Sequence, residues 1–380
     1  MHLTIVSYWF RRGIKGFGVF VILYYFMILL VIPVTKKGLN AIIPEKDPPN
    51  PIFGQLDALE FIEKPILSQE VSYTLNTKDA RLPAIPAKFT VYQYNRPTFS
   101  YEAGKNAQKH AALLGFTDAD LMTDLKGNVY KWKSVVSGGL LEINKDTKAL
   151  TLDTSLEGRS ALFPAGKLTE DSAINSAKTM LTSLNRFNDM LYQNGTQQVQ
   201  FGKFTGSKIV GTTVVKEVQI ARVDFFRTVN KVPILGPDPK VGNLHVWVKA
   251  VEGQTSLYDY PRMEAHEWEV EGPSNATYPL VPITQVWNEI VKGKGIIVNV
   301  TPRDASPFDE FVPVRVDRVF VNNIYIAYYD NHKVQRYLQP IYVFDGNYTS
   351  SVGGAGSITL YYPAVDGQYV KANAPASESK

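Results

Sequence analysis

The pattern of hydrophobic and polar positions starts with one uncharged run, residues 16–34 (GFGVFVILYYFMILLVIPV). As a helix rising 1.5 Å per residue, this run would be about 28 Å long, close to the thickness of the hydrocarbon core of a bilayer. A cleaved signal peptide has a shorter apolar region and a small-residue cleavage site, whereas Lys36 and Lys37 follow this run almost directly. The pattern therefore predicts a transmembrane helix that is retained as a signal-anchor.

The residues around this helix bear on its orientation. Basic residues are equally frequent on its two sides: Arg11, Arg12 and Lys15 before it, and Lys36, Lys37 and Lys46 after it. The chain has no cysteine among its 380 residues, which favours an oxidising or cell-surface setting where free thiols are a liability. We therefore expect a cytoplasmic tail (1–15), a single-pass anchor in the cell membrane, a proline-rich stalk (35–69) and an extracytoplasmic body.

After the stalk, helical spacing followed by strand alternation recurs three times. In residues 70–165, Ala103, Ala107 and Ala111 are spaced as one face of a helix. Three short runs then alternate between apolar and polar residues: 129–134, 139–144 and 149–154. These residues form the first predicted module, one helix followed by an antiparallel meander.

The second predicted module, residues 166–281, repeats this order. Thr169 is the expected N-cap of a helix of about twenty residues, whose apolar stripe extends to Leu191. Four runs with the composition of strands follow: 197–204, 213–223, 243–250 and 264–270. The second module is thus again a helix that precedes an antiparallel sheet.

The third predicted module, residues 282–363, has a helix that ends at Gly293, followed by strands at 296–300, 312–321, 324–329 and 338–344. Asn322 and Asn323 predict the tight turn of a hairpin, because asparagine tolerates positive φ. Residues 364–380 are expected to be a disordered tail. The whole pattern predicts an α+β fold, in which a single N-terminal transmembrane helix precedes repeated helix-plus-antiparallel-sheet modules.

Composition and charge narrow the possible functions. The chain is 44% apolar and 20% charged, and it is long enough to bury two or three cores. Its net charge of +4 is small, and it contains no run of five basic residues. Nucleic-acid binding is therefore not expected.

Candidate chemistry is sparse. Zinc ligation by cysteine is excluded, and the five histidines form no His-x-x-x-His pair. Glu264 and His266 are two residues apart and would share one strand face, but such a pair is usually a solvated charged surface rather than a metal site. Asp304, Asp309 and Glu310 could supply the acid and base of a glycosidase, although loop carboxylates are usually only polar. The sequence therefore predicts no catalytic, cofactor-binding or metal-binding residue and no cofactor.

Three segments carry a resemblance to a known family: 283–295 (ITQVWNEIVKGKG), 324–330 (IYIAYYD) and 337–346 (YLQPIYVFDG). They resemble the PepSY-type module. They are also similar to the membrane-anchored regulators of the WalK cell-wall sensor kinase, which carry related domains outside a single N-terminal span. The similarity is greatest over residues 223–344. It implies a PepSY-like, non-catalytic extracytoplasmic protein, with no active-site residues to transfer.

These observations favour a membrane-anchored, extracytoplasmic, non-enzymatic binding or regulatory protein of the bacterial cell envelope. Its expected partners are the lipid bilayer, through residues 16–34, and an envelope or membrane protein. That protein would contact sheet edges and aromatic residues such as Tyr325, Tyr328 and Tyr329, unless these tyrosines pack inside the sheet. Two alternatives stay open: a cell-wall-acting hydrolase or transferase that uses carboxylates, and a structural scaffold of an envelope complex.

Overall fold

The computed structural model describes residues 48–96, 100–122, 128–251, 258–266 and 268–371. The chain divides into two units, Met1–Asn50 and Pro51–Lys380, and nearly all described residues belong to the second. The helices of the described residues are α1 Ala103–Leu113, α2 Glu170–Ser183, α3 Met190–Gln193 and α4 Ile283–Val291. Their strands are β1 Ser72–Leu75, β2 Lys88–Thr90, β3 Tyr92–Gln93, β4 Val129–Lys133, β5 Leu140–Asn144, β6 Leu150–Asp153, β7 Thr196–Thr205, β8 Lys208–Gly211, β9 Ile220–Phe226, β10 Thr228–Val229, β11 Val232–Leu235, β12 Leu244–Lys249, β13 Arg262–Ala265, β14 Thr277–Pro279, β15 Ile296–Pro302, β16 Arg318–Tyr329, β17 Tyr337–Thr349 and β18 Ala355–Pro363.

Two eight-stranded sheets dominate the second unit. Sheet I is antiparallel and has the order β4-β5-β6-β13-β12-β9-β7-β8. Sheet II has the order β10-β11-β16-β17-β18-β15, with β1 parallel to β16 and β3 paired with β17. A separate ribbon pairs β14 with β2. Because β11 belongs to sheet II and β12 to sheet I, residues 236–243 connect the two sheets.

Sheet I buries one face beneath α1 and α2. Its strands form where the sequence alternates: in β4, Tyr130 and Trp132 are buried while Lys133 is exposed. The predicted strands at 129–134, 139–144 and 149–154 are confirmed as β4, β5 and β6. The helix residues buried against this face are small or apolar: Ala107, Ala111, Ala173, Ala177 and Leu181.

Helix α2 begins at the predicted N-cap. Thr169 has extended φ and ψ, its Oγ1 accepts a hydrogen bond from Ser172 N at 3.2 Å, and Ser172 Oγ accepts one from Thr169 N at 2.9 Å. This reciprocal capping satisfies N–H groups that the first turn leaves free. The helix is 14 residues long, shorter than expected, because Asn185 adopts a left-handed φ of 55° that ends the helical path.

Sheet II is packed on both faces. On one face, Val286 and Ile290 of α4 pack with Phe344 and Leu360. On the opposite face the core residues are Leu235, Val298, Ala327, Tyr329, Ile341, Val343 and Tyr361, with Leu59, Phe61, Ile296 and Tyr325 packed against them. The Phe61 and Tyr329 rings lie 4.7 Å apart, so part of the predicted stalk is packed on the sheet.

The predicted α+β fold of repeated modules is wrong, because the structure is mostly β-sheet and its strands do not close as separate modules. Strand β6 would be the edge of the first predicted meander, but it pairs with β13, from Asp153 opposite Arg262 to Leu150 opposite Ala265. This pairing joins strands of the first two predicted modules. Strand β11 likewise leaves the second module to pair with β16. Unpaired strand edges carry free N–H and C=O groups, so pairing two edges satisfies both.

The predicted transmembrane helix, residues 16–34, and the predicted tail, residues 1–15, lie outside the described residues. Where the structure does describe the chain, it contains no helix with the length and apolarity to cross a bilayer. Spanning takes roughly 20 residues, and α2, the longest described helix, has 14. This finding contradicts the predicted single-pass, signal-anchored topology and its cell-membrane localisation, which we correct here.

Strand β16 contradicts the predicted hairpin at Asn322 and Asn323. The strand is continuous over 12 residues, and its register with β17 shifts between Val321 and Asn323. Asn322 is therefore the extra residue of a β-bulge rather than part of a turn. Its Oδ1 accepts a hydrogen bond from Asn76 Nδ2 at 2.8 Å, directly after β1.

A first prediction concerns His110 on α1. Burial, together with Arg186 and Lys109, lowers the pKa of His110 from 6.5 to about 4. Between these values the unfolded chain binds a proton that the folded chain does not, so stability falls as the pH decreases from 6.5 to 4. We expect the free energy of unfolding of His110→Gln to fall less over this range, by about 1–2 kcal/mol, because the ring is only half-buried. Urea denaturation at pH 7 and pH 4 measures this difference, and equal losses in both proteins would contradict it.

Candidate metal centre between sheets I and II

Four polar side chains form a group on the face of sheet I that does not pack against α1 and α2. His245 of β12 lies directly opposite Glu264 of β13. His266 N donates to Asn243 O at 2.9 Å, so these two residues extend the same antiparallel pairing. Since side chains two residues apart share a face, Asn243, His245, Glu264 and His266 lie together. The alternate residues of these strands point into the core: Leu244, Val246, Met263 and Ala265.

His332, which follows a strand of sheet II, contacts this group. It follows β16 by three residues, and its ring stacks on His266 with centroids 4.4 Å apart and planes 7° apart. His266 Nε2 lies 3.9 Å from Glu264 Oε2. One ligand atom from each of Glu264, His266 and His332 lies within 4.8 Å of the others. The two sheets therefore bring two imidazoles and one carboxylate to one point.

The hydrogen bonds around Asn243 assign the tautomer of His332. Asn243 Nδ2 donates to Asp330 O at 2.9 Å and to Asp330 Oδ2 at 3.1 Å. Its amide oxygen therefore faces His332 Nε2, 3.1 Å away, and that nitrogen carries the proton as the donor. The lone pair of neutral His332 is then on Nδ1. An outer contact of this kind is what orients a metal-binding histidine.

Both stacked rings are held neutral. Burial lowers the pKa of His266 to about 4, with a further lowering by His332 and an opposing effect of Glu264. Burial also lowers the pKa of His332, against the opposing effects of Glu264 and Asp330. Within the described part of the chain, His266 Nδ1 is buried and has no hydrogen-bond partner. The rings therefore offer lone pairs at neutral pH, and a buried nitrogen without a partner is energetically costly.

Beneath the cluster, a buried ion pair fixes the segment that carries His332. Arg227 Nη2 pairs with Asp330 Oδ2, and its Nη1 donates to Trp268 O at 2.6 Å and Asp189 Oδ2 at 3.3 Å. Tyr94 OH donates to Asp330 Oδ1 at 2.9 Å. Arg227 and Asp330 are 2% and 1% exposed. Asp330 therefore positions the side chain of Asn243. It also fixes the backbone two residues before His332.

This donor set suits a divalent ion of the zinc class. Imidazole nitrogens and carboxylate oxygens bind Zn²⁺ at about 2.0–2.2 Å, whereas hard ions such as Ca²⁺ and Mg²⁺ prefer oxygen donors only. A tetrahedral ion at these distances requires the donor atoms to approach to about 3.4 Å, so the stacked rings would tilt towards it. The side chains of Glu264, His266 and His332 fit such an ion, and they leave the fourth position of a tetrahedral site for a further ligand.

The other residues that the sequence offered as functional candidates do not form a comparable cluster. Asp309 Oδ2 accepts from Ser306 N at 2.7 Å and stabilises a turn, and the described three-ligand cluster includes neither it nor Asp304 or Glu310. Tyr328 and Tyr329 are buried in sheet II.

The pairing of Glu264 with His266 is visible in the sequence from its spacing. His332 is not, because it lies 66 positions after His266, in the segment that connects β16 to β17 of sheet II. The one signal in the sequence is the alternation that places Asn243, directly before β12, on the same face as His245 of β12.

The comparisons with known proteins assign this chain to no family. No protein-family model matches the chain, and no curated protein matches it significantly. Among solved structures, an uncharacterized protein from Eubacterium rectale ATCC 33656 is 10% identical, with a TM-score of 0.41 over 80% of this chain and 91% of that chain. A likeness of this size supports no argument about fold or function. The resemblance to the PepSY-type module stays a prediction.

Proposed function

We propose that this protein is a non-enzymatic binding or regulatory protein, and that it binds a divalent transition-metal ion of the zinc class through Glu264, His266 and His332. The observation that carries the proposal is the convergence of three donor atoms within 4.8 Å of one another, from two sheets. Two further observations support it. His266 Nδ1 is buried without a partner in the described chain, and Asn243 orients the His332 ring.

The positions of the three ligands are consistent with a regulatory function. Glu264 and His266 belong to the end of sheet I and His332 to the segment between β16 and β17 of sheet II, so a bound ion would link the two sheets. An ion that binds only the folded chain stabilises it by mass action, and more so as its concentration rises above Kd. The concentration of the ion would therefore set how firmly the two sheets are held together.

Calorimetric titration of the full-length protein with Zn²⁺ tests the proposal. We expect saturable binding of one ion, and a loss of affinity of at least about 10–100-fold in Glu264→Gln, His266→Gln and His332→Gln, since even outer contacts of a metal site carry this much. His110→Gln is the matched control, because His110 lies on α1, which covers the opposite face of sheet I. Absence of saturable binding, or equal affinities in all variants, would show that the proposal is wrong.

A further inference from the structure

We infer that His245 is the fourth protein ligand of this ion, so that three imidazoles and one carboxylate close around it. This inference rests on the proposed function of the Glu264, His266 and His332 cluster. It extends that function by specifying a closed site rather than one with an open, water-filled position. The distinction matters chemically, because zinc sites with four protein ligands are structural or regulatory, whereas those with three keep a position for water or substrate.

The placement of His245 is the first argument. It lies directly opposite Glu264 across the β12–β13 pair, and opposite Asp224 across the β12–β9 pair. Directly opposed residues have Cβ atoms about 4.5–5.5 Å apart, within the reach of an imidazole. His245 is 8% exposed, on the same face as His266. The ring is therefore a buried neighbour of the cluster on its sheet I side.

The tautomer of His245 is the second argument. Its Nδ1 lies 3.0 Å from Gly242 O, and because a carbonyl oxygen can only accept, Nδ1 carries the proton. The Nε2 lone pair is left available, and no described residue donates a hydrogen bond to it. Gly242 N in turn donates to Asp224 Oδ1 at 3.0 Å, which holds Gly242 in place.

His245 and His332 are thus oriented in the same way. Each donates its ring N–H to an outer acceptor and keeps the other nitrogen free, and the two acceptors belong to the consecutive residues Gly242 and Asn243. Outer contacts that fix ring and tautomer are typical of metal-binding histidines. A single short segment of the 236–243 connection therefore prepares two rings for the same ion.

The distance to the ion is the third consideration. His245 lies outside the group of atoms within 4.8 Å, so its Nε2 must approach the ion while Nδ1 keeps its hydrogen bond to Gly242 O. Three neutral imidazoles and one carboxylate then give a complex of net charge +1, which burial tolerates better than the bare ion.

X-ray absorption at the zinc edge tests this inference on the full-length protein loaded with one equivalent of Zn²⁺. We expect four nitrogen or oxygen ligands at about 2.0–2.2 Å, with scattering from three imidazole rings in the wild type. His245→Gln should show two rings and an affinity lower by at least about 10-fold, whereas His110→Gln should keep three.

The outcomes separate the two claims. Two imidazoles in the wild type, unchanged in His245→Gln, would overturn the role of His245 and leave the proposed metal site standing. A wild type that retains no zinc after the loading step would overturn the proposed function itself. The wild-type spectrum alone decides the inference if His245→Gln fails to fold.

Discussion

Replacing Arg227 with methionine is expected to lower the free energy of unfolding by about 3–5 kcal/mol, the usual cost of removing one partner of a buried ion pair. Arg227 is 2% exposed and contacts Asp330, Asp189 and the Trp268 carbonyl. Methionine matches much of the volume of arginine but supplies no charge or N–H group. The carboxylate of Asp330 would then stay buried with its opposite charge removed, which is the source of the large effect.

Lys371→Met is the matched control for this substitution. Lys371 Nζ lies 2.6 Å from Asp57 Oδ1, but the two side chains are 47% and 44% exposed. Solvent screens such a pair, so its loss should change the free energy of unfolding by less than about 1 kcal/mol. Urea denaturation monitored by circular dichroism measures both variants, and equal stabilities of Arg227→Met and Lys371→Met would refute the role given to the buried pair.

Replacing Gly346 with alanine is expected to have the second large effect, a loss of at least about 3 kcal/mol. Gly346 of β17 pairs with Val321 of β16, next to the bulge at Asn322. An added Cβ would collide with the Phe320 carbonyl oxygen and lie 3.0 Å from Val321 Cα. These are backbone atoms within the longest pairing in sheet II, so they cannot move aside without breaking the ladder.

Gly272→Ala is the matched control for Gly346→Ala. Gly272 is exposed, and a Cβ built there meets no atom within 4 Å. This substitution should leave stability within about 0.5 kcal/mol of the wild type or raise it slightly, because alanine restricts the unfolded chain. Thermal unfolding of the two variants side by side is the measurement. A Gly346→Ala protein as stable as Gly272→Ala would mean that the bulge region is looser than the structure shows.

The parts of the fold that the sequence predicts are the local ones. Tyr130 and Trp132 alternate with polar residues within one strand, and Thr169 caps the helix that it precedes, so each signal lies beside the structure that it predicts. The pairing of Asp153 with Arg262, by contrast, joins residues more than a hundred positions apart. Nothing in either strand specifies this partner, and the prediction of separate modules failed at that point.

The misread hairpin has a related physical cause. Two consecutive asparagines are typical of a tight turn, and the same tolerance for unusual backbone conformations suits a bulge. What decides between them is the partner strand. β17 presents Asp345 and Gly346 opposite this position. Because Gly346 has no side chain, the backbone of Phe320 and Val321, just before the extra residue Asn322, can approach it closely.

For the same reason, the sequence indicates only part of the candidate metal centre. Glu264 and His266 are neighbours on one strand, and strand periodicity places them on one face. The position of His332 depends on Asp330, which Arg227 and Tyr94 hold through contacts between distant parts of the chain. Only the folded structure brings the third ligand to the first two.

Anomalous scattering from crystals of the full-length protein grown with Zn²⁺ tests the central claim most directly, with data collected on both sides of the zinc absorption edge. We predict a zinc peak within about 2.0–2.2 Å of a Glu264 carboxylate oxygen and of one ring nitrogen each of His266 and His332. A well-ordered cluster without a zinc peak, or zinc bound only at other positions, would contradict the account.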